Sequence, residues 1–182
     1  MLYGPRTVRD KNGRKITLRN AEPEDAADLL LYLKVTAAET PFLVREPDEI
    51  TLTDEQEAAF IRSKCAAERE LLLIALEDGK HIGNCALMQI TDLRRCRHRC
   101  GIAIALYQEY CGRGIGRAML EAVLDAAGEA GYMQAELEVI AENDNAIALY
   151  ESLGFKKYGR MPDNILYRDG HFADAYWMMK TL

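Results

Sequence analysis

The sequence has 182 residues, of which 49% are hydrophobic, and a formal net charge of −6 from 23 basic and 29 acidic side chains. This length suits a single domain over residues 1–182, since domains commonly contain about 100–200 residues. The acidic balance argues against a nucleic-acid binder held by general electrostatics, and no apolar run approaches the roughly 18 residues needed to cross a bilayer. We therefore expect neither nucleic acid nor a membrane as a partner.

The cysteine content points to a reducing compartment. There are five cysteines, an odd number, and the N-terminus shows no charged-then-apolar leader. Such a chain is not expected to depend on a disulfide framework. A cytoplasmic location is the expectation.

The N-terminal part alternates between a hairpin, a helix, a loop and a second helix. Arg6 to Arg19 predicts a short hairpin with a turn at residues 11–13, and Pro23 marks a helix start. Residues 41–52 lack periodicity and predict a loop. Thr53 and Gln56 then form the pattern of a capping box that opens a second helix. The apolar spacing predicts a buried face for this helix at Ala59, Phe60, Ser63 and Ala67.

A central sheet is predicted from three consecutive apolar segments. Leu71 to Leu76 and His81 to Ile90 flank a turn at Gly79, which indicates an antiparallel hairpin, and Arg97 to Leu106 continues the meander. Runs that are apolar on both faces imply a sheet covered by helices on both sides.

A Cys-x-His-x-Cys pattern lies at the start of the third segment and is a candidate for a zinc site. In a strand, Cys96, His98 and Cys100 would share one face in a row, whereas structural zinc normally uses two ligand pairs, one of them in a turn. The second pair is missing. We expect no metal site.

The C-terminal part predicts alternating helices and strands. A long helix follows the glycines at 112–116, a strand covers Gln134 to Ile140, and Asp144 with Asn145 is expected to cap another helix. Phe155 to Tyr158 opens a strand, and Asp169-Gly170 predicts a hairpin turn between Ile165 to Tyr167 and Phe172 to Met179. The order of these elements predicts an α/β sandwich with a mixed sheet.

Three glycines, Gly112, Gly114 and Gly116, lie between a strand end and a helix start, where free backbone N–H groups can hold a phosphate or pyrophosphate. The dinucleotide pattern G-x-G-x-x-G fails, because Arg117 and Met119 stand where its last glycine would be. No Lys-Ser or Lys-Thr follows, so the P-loop pattern fails as well.

The segment Cys111-Gly112-Arg113-Gly114-Ile115-Gly116 resembles motif A of the GCN5-related N-acetyltransferase superfamily, [Gln/Arg]-x-x-Gly-x-[Gly/Ala]. Asn143 to Phe155 resembles motif B of the same superfamily, Asn-x-x-Ala-x-x-Leu-Tyr-x-x-x-Gly-Phe. The resemblance implies the GNAT-type fold, a mixed, largely antiparallel central sheet of about seven strands with helices on both faces.

The resemblance also implies a binding site for acetyl-CoA as co-substrate. The strand backbone around Ile104 and Leu106 would pair with the pantetheine amides in a gap beside the strand at Gln134 to Ile140, and Asn143 would hydrogen-bond the same arm. The pyrophosphate would lie on the turn formed by Cys111, Gly112, Arg113, Gly114, Ile115, Gly116 and Arg117.

One position of the turn departs from the family. Cys111 replaces the usual Gln or Arg, which removes one polar contact, while Arg113 and Arg117 offer nearby charge. Cys111 as a nucleophile is the alternative, which direct acyl transfer in the family disfavours.

Two residues are the candidates for proton transfer. The resemblance places Tyr150 as the acid that protonates the departing thiolate, with a core tyrosine as the alternative. Glu138, on the strand beside the gap, is the candidate base, with a solvent-facing glutamate as an equally good alternative. The weaker candidates are Glu136, His98 and His171.

The expected activity is transfer of an acetyl group to a primary amine of a small molecule or protein by direct attack. A non-catalytic acyl-CoA-binding regulatory module is the alternative, suggested by Cys111, and a nucleotide-binding regulator is the third hypothesis. Exposed edge strands at the C-terminal hairpin could pair two chains as a homodimer.

Overall fold

The computed structural model describes residues 1–182 and is built around one open sheet of eight strands with four α-helices. The helices are α1 (Ala26–Glu39), α2 (Asp54–Ala66), α3 (Ile115–Glu129) and α4 (Asp144–Ser152). The strands are β1 (Arg6–Arg9), β2 (Lys15–Asn20), β3 (Leu71–Glu77), β4 (Lys80–Gln89), β5 (Arg99–Leu106), β6 (Gln134–Ile140), β7 (Lys156–Leu166) and β8 (Phe172–Thr181).

The strand order across the sheet is β1-β2-β3-β4-β5-β6-β8-β7. Every neighbouring pair is antiparallel except β5 and β6, which are parallel and joined by α3. The predicted mixed, largely antiparallel sheet is confirmed, with eight strands where about seven were expected. The two edges are β1 and β7, so the C-terminal hairpin does carry an edge strand. Pairing of two chains through it stays a prediction.

Helices cover both faces of the sheet, as predicted. The larger core lies under α3 and α4 and includes Met119, Val123 and Ile147 against the strands β2 to β6. The smaller core lies under α1 and α2 and includes Leu29 and Ile61. Because β3 contributes side chains to both cores, its residues are apolar without alternation.

The N-terminal hairpin forms as predicted, and its turn is held by one buried carboxylate. Asp10 Oδ1 accepts hydrogen bonds from the backbone N–H groups of Asn12 at 2.9 Å and Arg14 at 2.8 Å. Gly13 has a φ of +81°, a conformation that glycine adopts without a steric penalty. The turn is therefore held by side-chain as well as backbone hydrogen bonds to Asp10.

The helix α2 begins as predicted but presents a different face to the protein. Thr53 and Gln56 form the reciprocal capping box. The residues α2 buries are Glu57 and Ile61, whereas the predicted face at Ala59, Phe60 and Ser63 is exposed. The prediction was wrong because this helix has few apolar residues, and the single isoleucine decides which side packs on α1 and β3.

Two strands have different limits from those predicted. β5 begins at Arg99, because the N–H groups of Cys96 and Arg97 bond to the Leu93 carbonyl in a preceding turn. The two predicted segments after Phe155 are one strand, β7, whose register shifts between Met161 and Ile165. An edge strand tolerates such an irregularity and the proline within it.

A buried histidine predicts a specific pH dependence of stability. His81 is 5% exposed, neither ring nitrogen has a hydrogen-bond partner, and burial lowers its pKa. The unfolded chain takes up this proton below about pH 6.5, whereas the folded chain resists it, so stability is lost as the pH falls through that range. Urea midpoints at about pH 7.5 and about pH 5.5 should therefore differ more for the unaltered protein than for His81→Leu. Equal differences would contradict this role of His81.

Candidate active site

A gap opens in the middle of the sheet between the parallel strands β5 and β6. The two strands pair only at Arg99, Cys100 and Gly101, the first residues of β5, and then separate. The N–H of Tyr107 donates to Ile82 in the β4 ladder, so alternation directs the backbone groups of Leu106 and Ile104 away from β4 and into the gap. An extended ligand can pair with this free edge as an added strand would.

The gap ends at the glycine turn, which has an uninterrupted series of free donors. Every backbone N–H from Gly112 to Arg117 lacks a protein acceptor, and the first bond of α3 is from Ala118 N–H to the Gly114 carbonyl at 3.2 Å. These donors lie at the positive end of a helix of 15 residues. Such an arrangement suits a phosphate or pyrophosphate.

The glycines of the turn serve different purposes. Gly112 and Gly114 have φ values of +74° and +87°, which a side chain rarely tolerates. Gly116 lies inside α3, where a Cβ would lie 3.4 Å from Leu106 Cδ1 and 3.6 Å from Leu149 Cδ2. Gly112 and Gly114 thus shape the turn through their backbone conformation, whereas a Cβ at Gly116 would make ordinary van der Waals contacts.

The two arginines of the turn do not offer equal charge. Arg113 Nε donates to Asp10 Oδ2 at 2.7 Å, and its guanidinium also binds Glu77, with both carboxylate side chains almost fully buried. The positive charge of Arg113 is therefore neutralised by Asp10 and Glu77. Arg117 donates to Ser152 Oγ at 2.5 Å and remains partly exposed. Arg117 also pairs with Glu121 at 3.4 Å, so it is the more accessible of the two cations but is not unpaired. The expectation of nearby charge for a phosphate fits Arg117 better than Arg113.

Cys111 lies at the surface just before the glycines. Its thiol contacts the Tyr107 carbonyl, with the sulfur 3.7 Å from the oxygen. Desolvation, aided by the carboxylate of Glu39, raises the pKa of Cys111. A nucleophilic cysteine needs a lowered pKa, so the environment of Cys111 does not favour that role.

Tyr150 on α4 is mostly buried and free of side-chain hydrogen bonds. It is 7% exposed, and its ring meets Phe155 edge to face with centroids 5.9 Å apart. Burial raises the pKa of Tyr150 well above its usual value. The phenol is consequently protonated at neutral pH, as a proton donor must be.

Glu138 lies on β6 with both carboxylate oxygens engaged. Asn164 Nδ2 donates to one oxygen at 2.9 Å and Trp177 Nε1 donates to the other at 2.8 Å. The side chain is exposed and on the α1–α2 face of β6, the same face as Ile140. A carboxylate oriented by two neutral donors retains lone pairs for a further proton.

Two segments border this face of β6 and contact each other. The loop after α1 places Phe42 on Ile140, and its Pro41 carbonyl accepts from the Tyr167 hydroxyl at 3.0 Å. Arg168 of the C-terminal hairpin pairs with Glu46 and Asp48 of the loop. Between them lies a cleft of about 480 Å³. The cleft is lined by the loop after α1 and by Ile165 to Tyr167.

Asn143 has a structural role beside the predicted one. Asn143 caps α4, because its Oδ1 accepts a hydrogen bond from the Ala146 N–H at 3.2 Å. The predicted caps, Asp144 and Asn145, lie within the helix. The sequence-based cap was therefore wrong by one or two residues. The amide nitrogen of Asn143 stays available for a ligand.

The two roles of Asn143 can be separated by a pair of substitutions. Asn143→Ala should lower the free energy of unfolding by about 1 kcal/mol through loss of the cap. Asn143→Asp retains an acceptor for the cap but lacks the amide donor. We expect Asn143→Asp to unfold like the unaltered protein in urea while the KM for acetyl-CoA, the co-substrate that the resemblance implies, rises several-fold. An unchanged KM would assign Asn143 to the cap alone.

The weaker candidates have other partners or lie in turns outside the glycine motif. Glu136 binds Arg99 through two oxygens, with one N–O distance of 2.6 Å. His98 lies in the turn before β5, and His171 stacks on Tyr167 in the C-terminal hairpin. No group of three His, Cys, Asp or Glu side chains is placed to hold a metal ion. None of the helices is long and apolar enough to cross a membrane.

Sequence patterns missed the residues that support the turn from outside the motif. Asp10 and Glu77 reach it from the N-terminal hairpin and the end of β3. Gly83 also escaped notice, although a Cβ there would lie 2.8 Å from Leu106 Cγ. No local spacing links these residues, because the sheet brings them together across long stretches of chain.

The fold and the site together define an α/β protein with a split sheet that can hold an extended ligand with phosphate groups. The sequence model of the acetyltransferase (GNAT) family matches residues 34–155. An N-alpha-acetyltransferase of Saccharolobus solfataricus is 31% identical over 174 residues, covering 93% of this chain and 95% of that protein. The chain belongs to the acetyltransferase (GNAT) family.

Solved structures share the fold over nearly the whole chain. A GNAT-family acetyltransferase of Streptococcus pneumoniae superposes with a TM-score of 0.87 at 29% identity, covering 92% of this chain and 99% of that one. A phosphinothricin acetyltransferase of Sinorhizobium meliloti in complex with AcCoA gives a TM-score of 0.80 at 21% identity, over 92% and 88% of the two chains.

Other curated relatives match over a shorter region. The chain spans 36% of the length of the ribosomal protein bS18 alanine N-acetyltransferase of Escherichia coli, at 48% identity over 54 residues. It spans 20% of the length of a Mycobacterium leprae protein, at 43% identity over 77 residues.

Proposed function

We propose that this protein transfers the acetyl group of acetyl-CoA to a primary amine of a small molecule or a protein. The observation that carries the proposal is the free donor series from Gly112 to Arg117 at the end of the gap beside β5. The donors would hold the pyrophosphate, and the free edge at Ile104 and Leu106 would pair with the pantetheine amides. The family membership and the acetyl-CoA complex of the Sinorhizobium neighbour support this choice of cofactor.

The acceptor would enter from the α1–α2 side of the sheet, the face of β6 that carries Glu138. An amine attacks a thioester only in its neutral form, and an unperturbed α-amine titrates near ~8. Glu138, directly or through water, would take the proton that the amine nitrogen loses as its bond to the carbonyl carbon forms. The names of the archaeal and E. coli relatives favour a protein α-amine over other primary amines.

The tetrahedral intermediate would collapse by breaking the carbon–sulfur bond. The sulfur leaves with the electron pair and needs a proton, which the Tyr150 hydroxyl would donate. Burial raises the pKa of Tyr150, so its hydroxyl stays protonated until the sulfur leaves. The products are an acetylated amine and free coenzyme A.

Thiol release from acetyl-CoA tests the proposal directly. We would compare peptides with a free and with a blocked α-amine, a polyamine, and a peptide whose only amine is a lysine side chain. Release of coenzyme A that requires a free amine supports the proposed transfer, and the pattern across the panel identifies the class of acceptor.

The alternative functions give different results in the same assay. Thermal stabilisation by acetyl-CoA without thiol release from any acceptor would indicate the non-catalytic acyl-CoA-binding module. Stabilisation by NAD or ATP but not by coenzyme A would indicate a nucleotide-binding regulator.

A further inference from the structure

The turn at residues 10–13 of the N-terminal hairpin reaches the glycine turn and binds to it. The Lys11 N–H donates to the Arg113 carbonyl at 2.9 Å, and Asp10 receives the Arg113 guanidinium. This hairpin precedes the region matched by the family model, which begins at residue 34. The glycine turn is thus contacted by a part of the chain that lies outside the matched region.

The side chain of Lys11 lies over the start of α3. A Cβ at Gly114 would be 3.4 Å from Lys11 Cγ, 4.0 Å from Cδ and 3.7 Å from Cε. The apolar stem of the lysine therefore follows the surface of the residue that caps α3. The ammonium group is one covalent bond beyond Cε, and Cε is 3.7 Å from a Cβ built at Gly114, a residue whose own N–H is free.

The local charges leave this ammonium group available. Asp10 and Glu77 are the carboxylates of this region, and they pair with Arg113 and Arg14. Lys11 forms no ion pair with them and remains exposed. Arg113 pairs with buried carboxylates and Cys111 carries no charge, so the turn itself offers a pyrophosphate one partly exposed cation, Arg117, which also pairs with Glu121.

We propose that Lys11 binds the pyrophosphate of coenzyme A and replaces the charge that Cys111 and Arg113 do not provide. This inference rests on the proposed function and adds a residue to the same site. The lysine contributes a point charge on a flexible stem, while the backbone N–H groups supply directional hydrogen bonds. The ion pairs of Arg113 hold the hairpin in the position from which Lys11 reaches the phosphates.

Binding of coenzyme A by calorimetry tests this inference with three variants. Lys11→Ala should raise Kd about three- to tenfold, the range expected for one partly exposed charge contact. Lys11→Arg retains the charge and should stay within about twofold of the unaltered protein. The control Lys15→Ala, an exposed lysine of the same hairpin, should leave Kd unchanged. In turnover assays, Lys11→Ala should raise KM for acetyl-CoA and leave kcat unaltered.

Dephospho-coenzyme A, which lacks the 3′-phosphate, distinguishes the two phosphate groups. The effect of Lys11→Ala should persist with this ligand, whereas its disappearance would overturn the assignment to the pyrophosphate. Equal Kd values for the unaltered protein and Lys11→Ala would overturn this inference alone. Failure of the unaltered protein to bind coenzyme A would overturn the proposed function together with it.

Discussion

Replacement of Tyr150 by phenylalanine is expected to lower kcat by about 10² to 10³ while the affinity for acetyl-CoA stays within about twofold. General acid catalysis contributes roughly 10² to 10⁴ in rate. Burial raises the pKa of Tyr150, which makes the phenol a weak acid and favours the lower part of that range. Steady-state thiol release measures kcat, and calorimetry measures the affinity.

The stability of the variant should change little, because the Tyr150 hydroxyl makes no hydrogen bond within the protein. Tyr132→Phe is a matched control. Tyr132 is also buried, at 3% exposed, but its hydroxyl donates to the Arg69 carbonyl at 2.9 Å, away from the gap. It should lose about 1 kcal/mol of stability and keep full kcat. Full turnover by Tyr150→Phe would remove Tyr150 from the mechanism and favour its alternative, a core tyrosine.

Replacement of Gly114 by valine is expected to weaken coenzyme A binding by about tenfold or more, equivalent to about 1.4 kcal/mol. A β-branched residue is strained at the φ of +87°, and its Cβ would meet the stem of Lys11 at 3.4 Å. Relief of this strain would rotate the peptide groups of the turn and turn their N–H groups away from the phosphates. Calorimetric titration with coenzyme A measures the effect.

Gly131→Val separates strain from binding. Gly131 follows the other end of α3 and has a φ of +77°, and a Cβ at this position would meet no other atom within 4 Å. Both variants should lose stability by about 1–3 kcal/mol through backbone strain. Only Gly114→Val should raise Kd. Similar Kd values for the two variants would show that the turn around Gly114 does not hold the phosphates.

Local sequence was sufficient for most elements and for the family. Glycine spacing placed the turn and the start of α3, because the left-handed backbone conformation at Gly112 and Gly114 favours glycine. The capping box at Thr53 and the turn of the N-terminal hairpin were predicted correctly, since both depend on contacts within a few residues. The roles of Tyr150 and Glu138 stay predictions that kinetics must test.

Local patterns gave wrong predictions where contacts between distant segments determine the structure. The buried side of α2 follows from its packing on β3 and α1, and its sparse apolar residues did not reveal it. The continuity of β7 depends on pairing with β8, which carries the strand through an irregular segment. In both cases a weak local signal was overridden by tertiary packing.

The sequence by itself determined the fold class, the family and the glycine turn, because motif residues close together in the chain specify a strand, a turn and a helix start. Only the tertiary structure decided how charge is distributed around that turn. Arg113 belongs to the motif, but the sheet brings Asp10 and Glu77 to its guanidinium, and these two carboxylates neutralise its charge. The same arrangement places Lys11, more than 100 residues away in the chain, over Gly114. Electrostatic partners depend on distance in space, which spacing along the chain does not encode.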